Sequence, residues 1–383
     1  MSWETVKIED ICTLVTSGGT PLTSVPAYYA PKEIPWLKTG EVNYCRIYDT
    51  KSYISKEGLA RSSAKIIPAD SVIVAMYGQG DTAGKVAINK IPLSTNQACC
   101  NLIINHEKAD YEYVYYCLCT LYDHLIALKT GGAQPNLNAK KIKTINIPFP
   151  DIRTQRKIAS ILSAYDNLIE NNRKQIKLLE EAAQRLYKEW FIDLRFPGYE
   201  ETPIVDGIPQ GWEKLPVGKL IEKITRTTQI STSEYKKNGS IPIIDQSRTF
   251  IAGYTDNQSA LVNLGKPVIV FGDHTRILKY IQFPFAKGAD GTQLVVSNRG
   301  NMPQSLFYCS LIAIDLSNYH YARHFKYLKA EEILVPTHEI ADAFDRFVAP
   351  IFTGVQRLRD ITRNAANVRD YLLPKLMSGE IKV

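Results

Sequence analysis

At 383 residues the chain is long enough for two or three domains, each with a core of its own. Its 45% hydrophobic and 22% charged residues are those of a soluble globular protein, and no apolar run approaches the length that spans a membrane. A net charge of +7 suits a polyanionic partner without requiring one. Tyrosine outnumbers phenylalanine 22 to 12, which favours polar contact surfaces as well as cores. The opening Met1-Ser2-Trp3-Glu4-Thr5 has neither a basic n-region nor an apolar h-region, so no signal peptide is expected. Seven cysteines without a C-x-x-C pair, with Cys99-Cys100 and Cys117-x-Cys119 in apolar stretches, read as buried free thiols of a reducing compartment. The cytoplasm is the expected location.

Residues 1 to about 150 carry short β-rich runs punctuated by turn residues. Val72-Ile-Val-Ala-Met-Tyr77 is an apolar run bounded by Asp70-Ser71 and Gly78, and Lys85-Val-Ala-Ile88 follows a Gly-containing turn. Ser17-Gly-Gly-Thr-Pro21 and Gly131-Gly-Ala-Gln-Pro135 are loops by composition, and Tyr111 to Leu128 looks helical. From Asp151 to Trp190 there is no Gly and no Pro. Apolar residues at Ile158, Ile161/Leu162, Tyr165, Leu168/Ile169, Ile176, Leu179, Ala183, Leu186 and Trp190 predict a long helix with a coiled-coil-like stripe. About 38 residues at 1.5 Å each give a rod of roughly 57 Å. Asn172, the one polar seam position, either fixes register or points outward. A Pro/Gly-rich connector from Arg195 to Trp212 leads into a second β-rich module over 213–336. After Pro336 the same rhythm returns at Phe344, Phe347/Val348, Ile351, Val355, Leu358, Ile361, Ala365, Val368 and Leu372, with Pro350 expected to kink the first turns. The two rods should pack antiparallel.

The chain repeats itself. Trp3-Glu4-x-Val6-x-Ile8-x-x-Ile11 returns as Trp212-Glu213-x-Leu215-x-Val217-x-x-Leu220, and Ile34-Pro35 as Ile241-Pro242. Val72-Ile73-Val74 matches Val268-Ile269-Val270, and Gln97 matches Gln293 at the same offset. Tyr116-Cys117 matches Tyr308-Cys309, and Ile145-x-Ile147-Pro148 matches Ile333-x-Val335-Pro336. The offset falls steadily along the chain, as if a second copy had lost loop residues. Two equivalent modules imply a pseudo-symmetric partner or a ligand read at two places.

Catalytic motifs are missing. Gly78-Gln-Gly-Asp-Thr-Ala-Gly84-Lys85 fits neither G-x-x-x-x-G-K-[ST] nor G-x-G-x-x-G and reads as a hairpin loop. No G-x-S-x-G and no helical H-x-x-x-H occur, and His320 and His324 have no acidic ligand nearby in sequence. Each module instead carries polar clusters whose residue types suit base edges. In the first these are Lys38-Thr39, Asn96-Gln97, and Gln134 with Asn136. In the second they are Gln246-Ser247-Arg248, His274-Thr275-Arg276, and Gln293. Gln and Asn can bond adenine bidentately and Arg guanine, while Lys, Ser and Thr suit phosphates. The alternative for each cluster is turn chemistry, in which such side chains satisfy their own backbone.

These residues together resemble the specificity (S) subunits of type I restriction–modification systems. The likeness rests on Trp3 to Ile11 and Gly211-Trp212 to Leu220, on Ser17-Gly-Gly-Thr-Pro21, Ile34-Pro-Trp-Leu37 and Ser94-Thr-Asn-Gln97. It rests equally on Ile147-Pro-Phe-Pro150 followed by Gln155-Arg-Lys-Ile-Ala159, on Leu186-Tyr-Lys-x-Trp190-Phe-x-Asp193, and on Leu373-Pro-Lys-Leu-Met-Ser-Gly379-Glu-Ile381. In the second module, Ile243-Ile-Asp-Gln-Ser247, Phe271-Gly-Asp-His-Thr-Arg276 and Gly288-Ala-Asp-Gly-Thr-Gln293 carry it. The second helix departs from the pattern, with Glu339-Ile-Ala-Asp342 where Gln-Arg-Ile would stand.

The resemblance implies an α+β fold with two pseudo-symmetric mixed α/β target-recognition domains, separated by two long antiparallel coiled-coil-like helices. Its divisions fall at 1–150 (first recognition domain), 151–196 (central helix), 197–336 (connector and second recognition domain) and 337–383 (C-terminal helix). It implies a non-catalytic subunit that reads a bipartite double-stranded DNA site and recruits two modification subunits and the restriction subunits. S-adenosylmethionine is expected on the modification subunit and no cofactor or metal on this chain. Arg156, Lys157, Arg173, Lys174 and Lys177 crowd the central helix and are candidate partner-docking residues, or else a solvated face. A two-module protein-binding scaffold without DNA specificity is the alternative function.

Overall fold

The structure, a computed structural model, describes residues 3–129, 136–225, 227–319 and 323–383. It divides into two compact units, Met1–Ile169 with Arg363–Val383, and Glu170–Thr362. Each holds one β-rich module and a stretch of both long helices.

Unit 1 opens on β1 (Thr5–Lys7), β2 (Cys12–Ser17), β3 (Ile34–Leu37), β4 (Cys45–Ile47) and β5 (Tyr53–Ile54). Helix α1 (Lys56–Ala60) precedes β6 (Ile66–Ile67), β7 (Val72–Ala75), β8 (Val86–Asn89), β9 (Leu93–Thr95) and β10 (Cys99–Ile104). Then come α2 (Tyr111–Thr120), α3 (Tyr122–Ala127), α4 (Ala139–Lys143) and β11 (Asn146–Pro148). One sheet has the order β2-β10-β7-β8-β4, a second β5-β3-β9-β6, and β1 pairs with β11. The unbroken apolar run of β7 follows from burial on both faces, with every residue from Val72 to Ala75 buried. α2 begins at an Asp110 cap that accepts from the Tyr113 amide, and packs Tyr113, Val114, Cys117 and Leu118 into the core.

Helix α5 spans Ile152–Tyr187, 36 residues that start in unit 1 and end in unit 2 with a π-helical turn at Lys188–Ile192. Beyond it lie the connector hairpin β12 (Ile204–Val205) and β13 (Ile208–Pro209), then β14 (Glu213–Pro216), β15 (Ile241–Ile244), β16 (Gly253–Thr255) and β17 (Leu261–Val262). β18 (Val268–Gly272), β19 (Leu278–Ile281), β20 (Phe285–Lys287) and β21 (Thr292–Val295) complete the sheets. α6 (Gln304–Ala313), α7 (His324–Ala330), β22 (Glu332–Val335) and the 40-residue α8 (His338–Met377) follow.

Unit 2 repeats the strand pattern of unit 1. The order β16-β15-β20-β17 matches β5-β3-β9-β6, with a parallel central pair and antiparallel outer pairs in both. β19-β18-β21 matches β8-β7-β10, and β14-β22 matches β1-β11. The register corrects two of the sequence matches. Val74 faces Cys100 and Ala75 faces Cys99, while Val270 faces Leu294 and Phe271 faces Gln293. Gln293 therefore stands in the place of Cys99, two positions from Gln97. Val6 faces Ile147 and Leu215 faces Ile333, so Ile333 corresponds to Ile147 and not to Ile145. Nor does the offset fall steadily, because the β20–β21 loop is two residues longer than the β9–β10 loop. A shift of two leaves every side chain on its own face, so alternation in the sequence cannot reveal it.

The long helices run antiparallel in each unit. In unit 1 the Asp166 carboxylate accepts from Arg369 Nη1 at 2.6 Å and from the Tyr116 hydroxyl at 2.5 Å, tying α5, α8 and α2 together. In unit 2 Arg359 meets Glu180 at 2.6 Å, and the Trp190 and Phe344 rings meet edge-on at 5.8 Å. Asn172 is buried in the seam, with an amide nitrogen that has no partner among the described residues. α8 continues through Pro350 as well as Pro374. Leu168, Phe347, Ile361 and Val368, assigned to the seam by their spacing, are exposed. The apolar stripe is wider than two helices can cover.

Candidate nucleic-acid interface

The polar clusters of the first module converge at one end of its sheets. β3 and β9 are parallel, so both deliver their following loops to the same end, and the Asn96 amide donates to the Leu37 carbonyl at 2.9 Å. The Met76 amide donates to the Ala98 carbonyl at 2.8 Å, and the Leu137 amide to the Met76 carbonyl at 3.1 Å. These bonds gather Lys38-Thr39, the 76–85 loop, Asn96-Gln97 and Asn136 into one cluster. Lys38 is exposed, with its ammonium 5.0 Å from the Trp36 ring centroid. Thr39 is buried against Gly78 and presents nothing to a ligand. Asn96 is half-buried and accepts from Cys99 Sγ, while the exposed Gln97 accepts from the Thr20 hydroxyl. Gln134 lies outside the described residues.

The Ser17-Gly-Gly-Thr-Pro21 motif has a packing reason. A Cβ on Gly18 would lie 2.1 Å from the Thr95 carbonyl oxygen, and one on Gly19 would lie 2.2 Å from the Ala64 nitrogen. Only glycine lets this loop press on the β9–β10 turn, and that approach delivers Thr20 to Gln97.

The second module gathers the same three loops: the end of β15, the β18–β19 turn and the β20–β21 loop. Gln246 is their hub. Its Nε2 donates to the Asp290 carbonyl at 2.7 Å, its Oε1 accepts from the His274 amide at 3.0 Å, and its own carbonyl accepts from the Thr275 hydroxyl at 2.7 Å. Beneath it lies Asp245, 6% exposed, whose Oδ1 accepts from the Ser247 amide and hydroxyl at 2.9 and 2.6 Å. The Tyr235 hydroxyl reaches the other oxygen at 3.3 Å, and burial pushes that phenol up to about 12. Lys279, 4% exposed, donates to the Thr249 carbonyl at 2.6 Å and sits 3.8 Å from Asp245; burial brings its pKa down to about 8.

Arg248 and His274 are exposed. Arg276, also exposed, holds a left-handed backbone (φ 61°) and donates to the Leu316 carbonyl at 2.8 Å. Gln293 is half-buried on β21. His324 is no metal ligand, because both ring nitrogens face carbonyls, of Asp273 at 2.8 Å and Tyr319 at 3.0 Å. His320 lies outside the described residues, and among the described residues no group of three or more His, Cys, Asp or Glu could hold a metal. The seven thiols are free, and burial raises those of Cys12, Cys100 and Cys117 to about 12.

Sequence reasoning missed Gln79 and Asp81, exposed on the β7–β8 loop. Equating β7 with β18 makes this loop the counterpart of Asp273–Ile277 in the second module. The match of Val72-Ile73-Val74 with Val268-Ile269-Val270 already carried that signal. On α5, Arg156, Lys157, Arg173, Lys174 and Lys177 are all exposed, and Lys177 pairs with Glu181 at 3.7 Å. Exposed apolar residues share these helices: Leu168, Val368 and Tyr371 in unit 1, and Leu178, Phe347 and Ile361 in unit 2.

Duplicated modules that each gather three polar loops at matching sheet ends, borne on two long helices, define a two-part recognition protein. Residues 1–181 match the family described as the type I restriction modification DNA specificity domain. The type I restriction enzyme MjaIX specificity subunit of Methanocaldococcus jannaschii is 29% identical, over all of this chain and 94% of that protein. The EcoR124I/EcoR124II specificity subunit of Escherichia coli is 30% identical over 47% of this chain and 45% of its own. The crystal structure of a type I S subunit from M. genitalium shares the fold, with TM-score 0.63 and 15% identity over 98% of this chain and 96% of that one. Residues 1–181 thus carry a type I restriction modification DNA specificity domain, and along its whole length the chain is similar to a type I specificity subunit. That likeness supports the role of a DNA sequence specificity subunit. No helix among the described residues is long and apolar enough to cross a membrane.

Proposed function

We propose that the chain reads a split double-stranded DNA site, one half with each module, and contributes no catalysis of its own. The observation that carries this is the repeated strand order, which sets the same three loops at the same sheet end in both modules. Lys38, Gln97, Gln79 and Asp81 would face one half-site, and Arg248, His274 and Arg276 the other. Thr39, Ser247 and Gln246 then shape the loops and do not touch bases.

The exposed apolar and basic residues of α5 and α8 would seat two modification subunits, one on each unit, each bringing S-adenosylmethionine. Contiguous apolar surface on a long helix is unfavourable in water unless a partner covers it. Restriction subunits would join that assembly, and the cytoplasm would be its site of action. The test is equilibrium binding of the chain with its modification subunit to a split target and to scrambled DNA of equal length. Affinity should fall steeply with salt while the preference for the split target persists. Equal affinity for both DNAs at every salt concentration would end the proposal.

A further inference from the structure

Within unit 2 a groove of about 740 Å³ runs between α5 and the recognition module. Lys177, Glu181, Gln184 and Arg185 of α5, with Lys188 of the π-helical turn, form one wall, while Arg248, Phe250, Ile277 and Leu278 form the other. Ile312, 39% exposed, contributes apolar surface above the buried Tyr308 and Phe352. From Lys177 to Lys188 the wall extends about 17 Å, or three helical turns.

The groove is cationic at its rim. Its two acids are already engaged, Glu180 by Arg359 at 2.6 Å and Glu181 between Lys177 and Arg185 at 3.7 and 3.8 Å, and Lys188 is held by Asp193 at 2.6 Å, so the excess charge lies with Lys177 and Arg185. Arg359 lies over the Phe250 ring at 4.1 Å and so belongs to the apolar floor. A duplex could place phosphates on the rim, but it has nothing to set against Leu278 and Ile312. An amphipathic helix offers both parts, apolar anchors for the floor and carboxylates for the rim.

We propose that this groove docks an acidic amphipathic segment, about three helical turns long, of a partner subunit. The proposal rests on the reading that the chain works within a multisubunit assembly, and it adds the place and chemistry of one contact. Aliphatic or aromatic side chains of the segment cover Ile312 and Leu278, and its Asp or Glu residues face Lys177 and Arg185, two cations that share the single carboxylate of Glu181.

The experiment places the photo-crosslinker p-benzoylphenylalanine at Ile312 in the chain assembled with its modification subunits, with and without target duplex. Leu178, exposed on α5 away from the groove lining, carries the same group in a control. The expected product from Ile312 is a crosslink to a partner peptide rich in Asp and Glu with apolar residues three and four apart, present in both conditions. A crosslink from Leu178 but none from Ile312 overturns the groove proposal and leaves the assembly reading intact. A crosslink from Ile312 to DNA alone also overturns it. If neither position reaches a partner, both readings fail. Independently, the pair Arg185→Glu and Ile312→Glu should weaken assembly at least tenfold in the absence of DNA, and unchanged assembly counts against the proposal.

Discussion

Replacing Gln246 by Ala removes the side chain that joins two loops of the second module. Two hydrogen bonds are lost, from Nε2 to the Asp290 carbonyl at 2.7 Å and from the His274 amide to Oε1 at 3.0 Å. Neutral hydrogen bonds contribute about 0.5–1.5 kcal/mol each, and Gln246 is half-exposed, so the loops lose about 1–2 kcal/mol of organisation. Gly272 and Gly291 approach the same side chain closely, so the vacated space lets both turns move. Affinity for target DNA should therefore fall roughly 5- to 30-fold. The assay is fluorescence anisotropy of the complex against a set of duplexes, each changed at one base pair. The penalty should spread over the whole second half-site, because Gln246 positions Arg248 and His274 and does not itself read a base. A loss confined to one adenine position, with all others unchanged, would show direct readout and refute the positioning argument.

In unit 1, Asp166→Ala removes the acceptor shared by Arg369 Nη1 and the Tyr116 hydroxyl, while Arg369 keeps Asp370 at 2.7 Å, and should destabilise by about 1–3 kcal/mol, read from urea unfolding. Tyr116→Phe alone should cost about 1–2 kcal/mol, and the double variant should be less than additive. Gly18→Ala should lower the melting temperature sharply because its Cβ meets the Thr95 carbonyl, whereas Gly40→Ala, with open space around it, should change little. Lys279 titrates near 8 when folded and near 10.5 when unfolded, so between those values the unfolded chain binds more protons and stability rises with pH. Relative to Lys279→Met, the native chain should gain about 2 kcal/mol between pH 8 and 9.5 in urea unfolding, and a widening deficit would contradict the burial argument.

The long helices were legible because their apolar residues recur at three and four positions with no glycine between Asp151 and Trp190. Periodicity gives a face but not its width, and so Leu168, Phe347, Ile361 and Val368 were placed in a seam they do not occupy. Pro350, expected to kink α8, does not end it: one missing amide does not interrupt a helix anchored by Phe344, Val348 and Phe352 in the core. The repeat was legible from its buried strands, Val72–Val74 and Val268–Val270, whose composition burial constrains. Its register was not, since a shift of two preserves inside and outside. Among the loops, residue type alone could not separate Gln97, which is exposed, from Thr39, which is buried, or Arg248 from Gln246. That distinction depends on hydrogen bonds between segments as distant as Gln246 and Asp290, which no local pattern encodes.

The most direct measurement is the recognition motif itself, obtained by mapping methylated adenines in DNA modified by the complex carrying either the native chain or the Arg248→Ala variant. The native chain should give two specified segments separated by an unspecified gap, and the variant should relax one segment while leaving the other unchanged. A single contiguous motif, or a variant that alters both segments equally, would contradict the assignment of one half-site to each module.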